Sequence, residues 1–318
     1  MKNSRHTWKR RLKNIMSRGN LVIDGTQLLM ASLAVNDDDY TNDMEYLGGM
    51  MGLVRQVGGL INMLQPYSVF IAFDIDKSKF RLDIHPEYKA GRGVGISDEL
   101  HKKFSHRALH TSYLKLLLPM LGVNVMTYPD VEADDIIANF ILKSKRFNTI
   151  ISTDKDFIQL VGPNTRLYRP IRNPIMITDS NIDEVLGFSR DLYLDVRTLE
   201  GDKSDNIEGV KGVGAKTALK IFDFAGSNEA QLVRKWAEEE CTYKYKEHLI
   251  NFINADRWDF NLRLMDLKKG PDVIIEDAII PAERNYDGAY DFLMELQVDD
   301  FMFEDDVHKV LTCYDDLK

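Results

Sequence analysis

Short, almost wholly apolar runs alternate along this chain with stretches whose apolar residues recur at helical spacing. NLVIDG (20–25) is one such run, closed by an acid and a glycine, and reads as a buried strand. A helix is predicted over about 44–64, with Leu47, Met51, Val54 and Leu60 on one face. SVFIAFD (68–74), VNVMTYP (123–129) and TIISTDKDF (149–157) are further strands, and VEADDIIANFILKS (131–144) opens a helix between the last two. This alternation predicts an α/β fold, a twisted, mostly parallel sheet with covering helices.

Residues 75–115 break the pattern. They are polar and basic, hold four of the seven histidines, and include Pro86 and the glycine-rich GRGVG (91–95), so a segment mobile in part is expected. From about residue 185 the strand signals fade. RDLYLDVRTLEGDKSDNIEGVKGVGAKTALKIFDFAG is helical with a glycine-punctuated centre, and 227–265 continues as amphipathic helix. The divisions expected are a basic arm (1–19), an α/β domain (20–185) and a helical part (186–318) ending in an acidic tail.

Charge changes the picture once it is read locally. The net charge of −9 argues against a nucleic-acid partner. Yet residues 1–18 carry seven Lys/Arg and no acid, and residues 77–115 carry nine Lys/Arg against four acids. Residues 281–318 hold eleven acids against three bases and hide both. The basic arm lacks the apolar core of a secretory signal, and no run of 18 apolar residues is present to span a membrane. Cys241 and Cys313 lie far apart without metal-type spacing, which fits a reducing cytoplasm.

The acids carry the chemistry. Strand ends deliver Asp24, Asp74, the group Glu132, Asp134 and Asp135, and the pair Asp154 and Asp156. In a parallel sheet the carboxyl ends of the strands share one edge, so these acids converge there. GDKSDN adds Asp202 and Asp205, expected on one face of a helical turn. A single Asp at a strand end is ordinarily a helix cap, but capping needs one acceptor per helix, not a triplet. An all-oxygen set selects Mg²⁺ or Mn²⁺ over zinc, and this many acids exceed one ion's needs. Two such ions roughly 4 Å apart are an arrangement used to cleave phosphodiesters.

GVKGVGAKT (209–217) resembles a phosphate-binding loop but places Ala215, not lysine, after Gly214, with no strand before it. The spacing instead suits a helix–hairpin–helix, with Gly212 and Gly214 in the turn and Lys211, Lys216 and Lys220 adding charge for a DNA backbone. Contacts of that kind ignore base sequence, so structure, not sequence, should be recognised.

Together IDGT, FD before a basic segment, EADD, STDKDF, GDKSDN and GVKGVGAKTALKI resemble the 5′ nuclease or flap endonuclease family over roughly residues 20–225. KSKFRLDIHPEYKAGR (77–92) is especially similar to its bacteriophage members. The resemblance implies a PIN-like sheet, a helical arch over about 75–115, and a C-terminal helix–hairpin–helix. It puts Asp24, Asp74, Glu132, Asp134, Asp135, Asp154, Asp156, Asp202 and Asp205 in a cluster for two Mg²⁺ ions, with Mn²⁺ able to substitute. It puts Lys89 at the scissile phosphate with Tyr88 and Arg92 beside it, and implies a K⁺ ion at the hairpin. QLLMAS (27–32) lacks the basic residue that some relatives carry after DGT.

The expected protein is a monomeric 5′→3′ exonuclease or flap endonuclease with RNase H activity. Its substrates would be branched or nicked duplex DNA and RNA/DNA hybrid with a 5′ end, met alongside replication proteins. A PIN-type endoribonuclease would need neither the Asp202/Asp205 pair nor the hairpin, and a non-catalytic DNA-structure binder would not need the full acid set.

Overall fold

The structure is a computed structural model that describes residues 19–35, 46–93, 95–296 and 314. The basic arm and most of the acidic tail, Cys313 included, lie outside the described residues. The first half runs β1 (Asn20–Asp24), α1 (Gly25–Val35), α2 (Gly48–Leu64), β2 (Ser68–Ala72), α3 (Lys79–Ile84), α4 (Asp98–Ser105) and α5 (Arg107–Met120). It continues with β3 (Asn124–Met126), α6 (Ala133–Lys143), β4 (Asn148–Ile151), β5 (Thr165–Arg169), β6 (Ile175–Ile177) and α7 (Ile182–Leu186).

Seven strands form one sheet in the order β6-β5-β4-β1-β2-β3, closed at the far edge by a ninth strand, β9 (Ile279–Ile280). The five inner strands are parallel, and β6 and β9 pair antiparallel at the two edges. The mostly parallel sheet expected from the sequence is present. Alternation along β1 explains the layers: Leu21 and Ile23 face a core with α1, α2 and α5, while Val22 faces a second core with α6. β5 and β6 escaped the sequence pattern because TRLYR and IMI are short and carry charged or half-exposed positions.

The expected arch segment contains two helices and the start of a third. Ser78 caps α3 by accepting from Arg81 N (3.3 Å), and Ser97 caps α4 by accepting from Leu100 N (3.3 Å).

The second half is helical: α8 (Tyr193–Glu200), a small hairpin of β7 (Gly201–Asp202) and β8 (Ile207–Glu208), then α9 (Ala215–Ala225), α10 (Ala230–Glu239), α11 (Lys246–Asn254) and α12 (Arg257–Met265). Its own core joins Leu199, Val213, Ile221 and Trp258. After α13 (Ile275–Ala278) the chain returns to the sheet through β9, and α14 (Tyr286–Glu295) packs on α5. Tyr314 is buried in the first core, where its hydroxyl donates to Val54 O at 2.9 Å. Residues from 279 onward that the structure describes therefore belong with the α/β domain. A two-residue strand is too short for periodicity to reveal.

Candidate metal and nucleic-acid site

The parallel strands bring the acids to one edge, where they fall into two groups. Asp24, Asp74, Asp134 and Asp154 are electrostatic neighbours, and none of the four closes an ion pair among the described residues. Asp24 ends β1, accepting from Gln27 N at 3.0 Å and Ser152 Oγ at 2.8 Å. Asp74 follows β2 and accepts from Ala133 N at 2.5 Å, so it also caps α6. Asp134 sits in the first turn of α6, and Asp154 follows β4. Burial, with repulsion from Asp74 and Asp154, pushes the Asp24 carboxyl up to about 7. Desolvation, with repulsion from Asp24 and Asp154, also raises Asp134 well above the usual range.

The remaining acids each have a protein cation. Glu132 accepts from Lys89 Nζ at 2.7 Å, and from Arg81 Nη1 and the Tyr88 hydroxyl at 3.2 Å. Asp135 is fully buried, and both its oxygens are held by the Arg81 guanidinium, which also donates to Leu264 O at 3.1 Å. Arg197 lies between Asp156 (3.5 Å) and Asp202 (2.5 Å). Arg92 meets Asp205 at 2.7 Å, and Tyr88 donates to Asp205 at 3.0 Å. Burial, reinforced by Glu132 and Asp205, raises the Tyr88 phenol and keeps it a neutral donor. Asp202 ends β7 and Asp205 lies in the tight turn that follows, not on the helical turn expected; Ser204 N and Asp205 N both donate to Asp202 Oδ1.

The donor chemistry fits a hard divalent cation, because the inner quartet is all oxygen and carries repulsion that no protein cation relieves by direct contact. No three acids or other ligating side chains among the described residues already stand as a finished cage. A cavity of about 620 Å³ opens beside Asp74, lined also by Lys77, Tyr88, Lys89, Arg107 and Glu132. Lys89 sits in its wall in the left-handed region, with φ 58°.

The glycine-rich stretch forms the expected hairpin between α8 and α9. Gly212 turns the chain at φ +83°, and a Cβ there or at Gly214 would meet nothing within 4 Å, so the backbone is open to an approaching strand. Lys211, Lys216 and Lys220 are all exposed on this element. No helix among the described residues is long and apolar enough to cross a membrane.

Arg81, Arg197, Ser152 and Tyr193, whose hydroxyl donates to Asp156 Oδ1 at 3.3 Å, carry no local sequence signal for their place at the site. Arg81 lies inside the quoted KSKFRLDIHPEYKAGR, yet nothing local separates it from Lys77 or Lys79, which are exposed.

Two adjoining family profiles match the chain. The one described as 5′-3′ exonuclease, N-terminal resolvase-like domain, covers residues 20–187, and 5′-3′ exonuclease, C-terminal SAM fold, covers 188–279. DNA polymerase I of Thermus thermophilus is 33% identical over 234 residues, 72% of this chain and 27% of that protein. The 5′-3′ exonuclease of Buchnera aphidicola is 30% identical over 206 residues, 64% of this chain and 69% of that one. The chain thus spans about a quarter of the length of the DNA polymerase I relatives it matches. The T5 D15 protein, co-crystallised with metal ions, shares the fold at a TM-score of 0.63 and 20% identity, covering 93% of this chain and 98% of that one. With a resolvase-like sheet, an acidic edge, and a helical half that carries the hairpin, this chain belongs to the 5′-3′ exonuclease family, nucleases that hydrolyse phosphodiester bonds.

Proposed function

We propose that this chain is a Mg²⁺-dependent, structure-specific 5′ nuclease that removes 5′ flaps and degrades 5′ ends of nicked duplex or RNA/DNA hybrid during replication. The observation that carries the reading is the quartet of Asp24, Asp74, Asp134 and Asp154 at one sheet edge, which closes no ion pair among the described residues and has Lys89 as a nearby positive charge. Bound divalent cations would neutralise charge on the phosphate as Lewis acids and lower the pKa of water. The quartet would hold them, with Asp156, Asp202 and Asp205 as a second bank. Asp135, committed to Arg81, would act by fixing the start of α6.

Lys89 would present a point charge to the scissile phosphate as negative charge develops there. Tyr88 would hold Glu132 and Asp205 in place through its hydroxyl. The hairpin would grip duplex through backbone amides and Lys211 and Lys216, without reading bases. Products would carry a 5′-phosphate and a 3′-hydroxyl.

The direct test is cleavage of 5′-labelled flap DNA, nicked duplex and RNA/DNA hybrid in Mg²⁺, with single-stranded RNA as the contrast. Cleavage of single-stranded RNA alone would favour an endoribonuclease. Lys89→Ala should slow single-turnover cleavage at saturating enzyme about 100-fold, the scale of losing one preorganised group. Affinity in Ca²⁺, read by anisotropy, should change little; lost affinity with normal cleavage would make Lys89 a docking residue. Lys216→Ala should weaken duplex binding and lower the salt slope by about one. An unchanged slope would separate the hairpin from DNA.

A further inference from the structure

The loop that carries Lys89 and the turn that carries Asp205 are clasped by bonds that the acid cluster does not account for. His85 Nε2 donates to Asn206 O at 2.9 Å, Asn206 Nδ2 donates to Glu87 O at 3.0 Å, and Lys89 N donates to Asp205 O at 3.1 Å. Both loops carry a non-glycine residue in the left-handed region, Lys89 at φ 58° and Asn206 at φ 60°. That conformation costs energy for lysine and is best tolerated by asparagine among residues with side chains. Lys89 keeps it only while its surroundings hold it there.

Asn206 is also fixed from the other side. It leads directly into β8, whose Glu208 O accepts from Asn261 Nδ2 at 2.8 Å. The same Asn261 amide donates to Thr198 O in α8 at 3.0 Å. Beyond β8, a Cβ on Gly209 would lie 2.2 Å from Glu200 O, and Val210 N donates to Leu199 O at 2.7 Å. The hairpin, β8 and Asn206 therefore form one packed path from the duplex grip to the Lys89 loop. His85 is braced in turn by Phe260 of α12, with ring centroids 5.5 Å apart.

We propose that Asn206 is a positioning residue for Lys89, holding the lysine loop in its left-handed conformation and tying its placement to the hairpin that grips duplex. The proposal deepens the nuclease reading above and rests on it. Asn206 spends its side-chain amide on the Glu87 carbonyl and its own carbonyl on His85, both in the segment that leads into Lys89.

The test is a double-mutant cycle with a second readout that needs no catalysis. Asn206→Gly retains access to the left-handed region but removes the Glu87 bond, so Lys89 should be freed without new strain. Single-turnover cleavage of a 5′ flap in Mg²⁺ should fall about fivefold, the worth of one net hydrogen bond, with affinity in Ca²⁺ unchanged. In a Lys89→Ala background the same change should cost nothing further. Hydrogen exchange at the Lys89 amide should speed up in Asn206→Gly while core strands stay protected. Multiplying losses in the double variant, or wild-type cleavage by Asn206→Gly at saturation, would overturn the proposal. If Asn206→Gly does not fold, His85→Phe removes the bond to the Asn206 carbonyl, keeps a ring against Phe260, and carries the same expectations. Should the wild-type protein cleave no substrate, the nuclease reading falls, and exchange at Lys89 alone decides whether the clasp exists.

Discussion

Asp134→Asn should abolish Mg²⁺-dependent cleavage and, in EDTA, raise the melting temperature. The two effects have one origin. Desolvation and repulsion from Asp24 and Asp154 hold the Asp134 carboxyl well above its usual range, so the charged form is costly in the fold. For an acid raised on folding, stability is complete below its unfolded pKa of about 4 and is lost as pH climbs through the folded value. Asp24, pushed up to about 7, behaves likewise. Metal-free protein should therefore lose stability between about pH 4 and pH 7, and Mg²⁺, which binds the deprotonated acids, should restore it. Removing the Asp134 charge relieves repulsion and erases much of that metal response. The loss of rate should reach about a thousandfold, several kcal/mol of transition-state stabilisation. Melting curves at pH 5 and pH 8, with and without Mg²⁺, check the linkage. A wild-type protein equally stable at both pH values in EDTA would contradict it.

The second large effect falls on stability. Arg81→Met leaves Asp135, wholly buried, without its two hydrogen bonds, and takes from Glu132 one of its three donors. Breaking a buried pair from one side costs about 3–5 kcal/mol, because the other charge stays uncompensated. It also frees α3 from Leu264 O, loosening the α/β domain from α12. Arg81→Met with Asp135→Leu should recover much of the stability, since an apolar pair of similar volume can replace a buried ion pair. Urea unfolding of the three proteins measures this. A single variant as stable as wild type would mean that Asp135 already carries a proton.

What the sequence made legible follows from the range over which its signals act. β1 to β4 are short apolar runs ending in acids, and a parallel sheet forces those ends together, so Asp24, Asp74, Asp134 and Asp154 were readable without coordinates. Partners were not. Whether Arg81 is solvated or buried against Asp135 depends on a residue 54 positions away. Arg197 meets Asp156 only because α8 packs across that edge. The Asp202/Asp205 spacing fits a helical turn and a tight β-turn equally well, and the glycines at 201 and 209 decide between them by close approach. Ile279–Ile280 pairs with β3 through two residues, too few to leave a periodic trace.

A divalent cation should bind among the carboxylates of the quartet. Anomalous diffraction from crystals of this protein soaked in Mn²⁺ shows whether it does. A manganese peak ligated by carboxylates from among Asp24, Asp74, Asp134 and Asp154, and absent from Asp134→Asn crystals, is the result expected. A peak confined to other acids, or none at a concentration that supports cleavage, would contradict it.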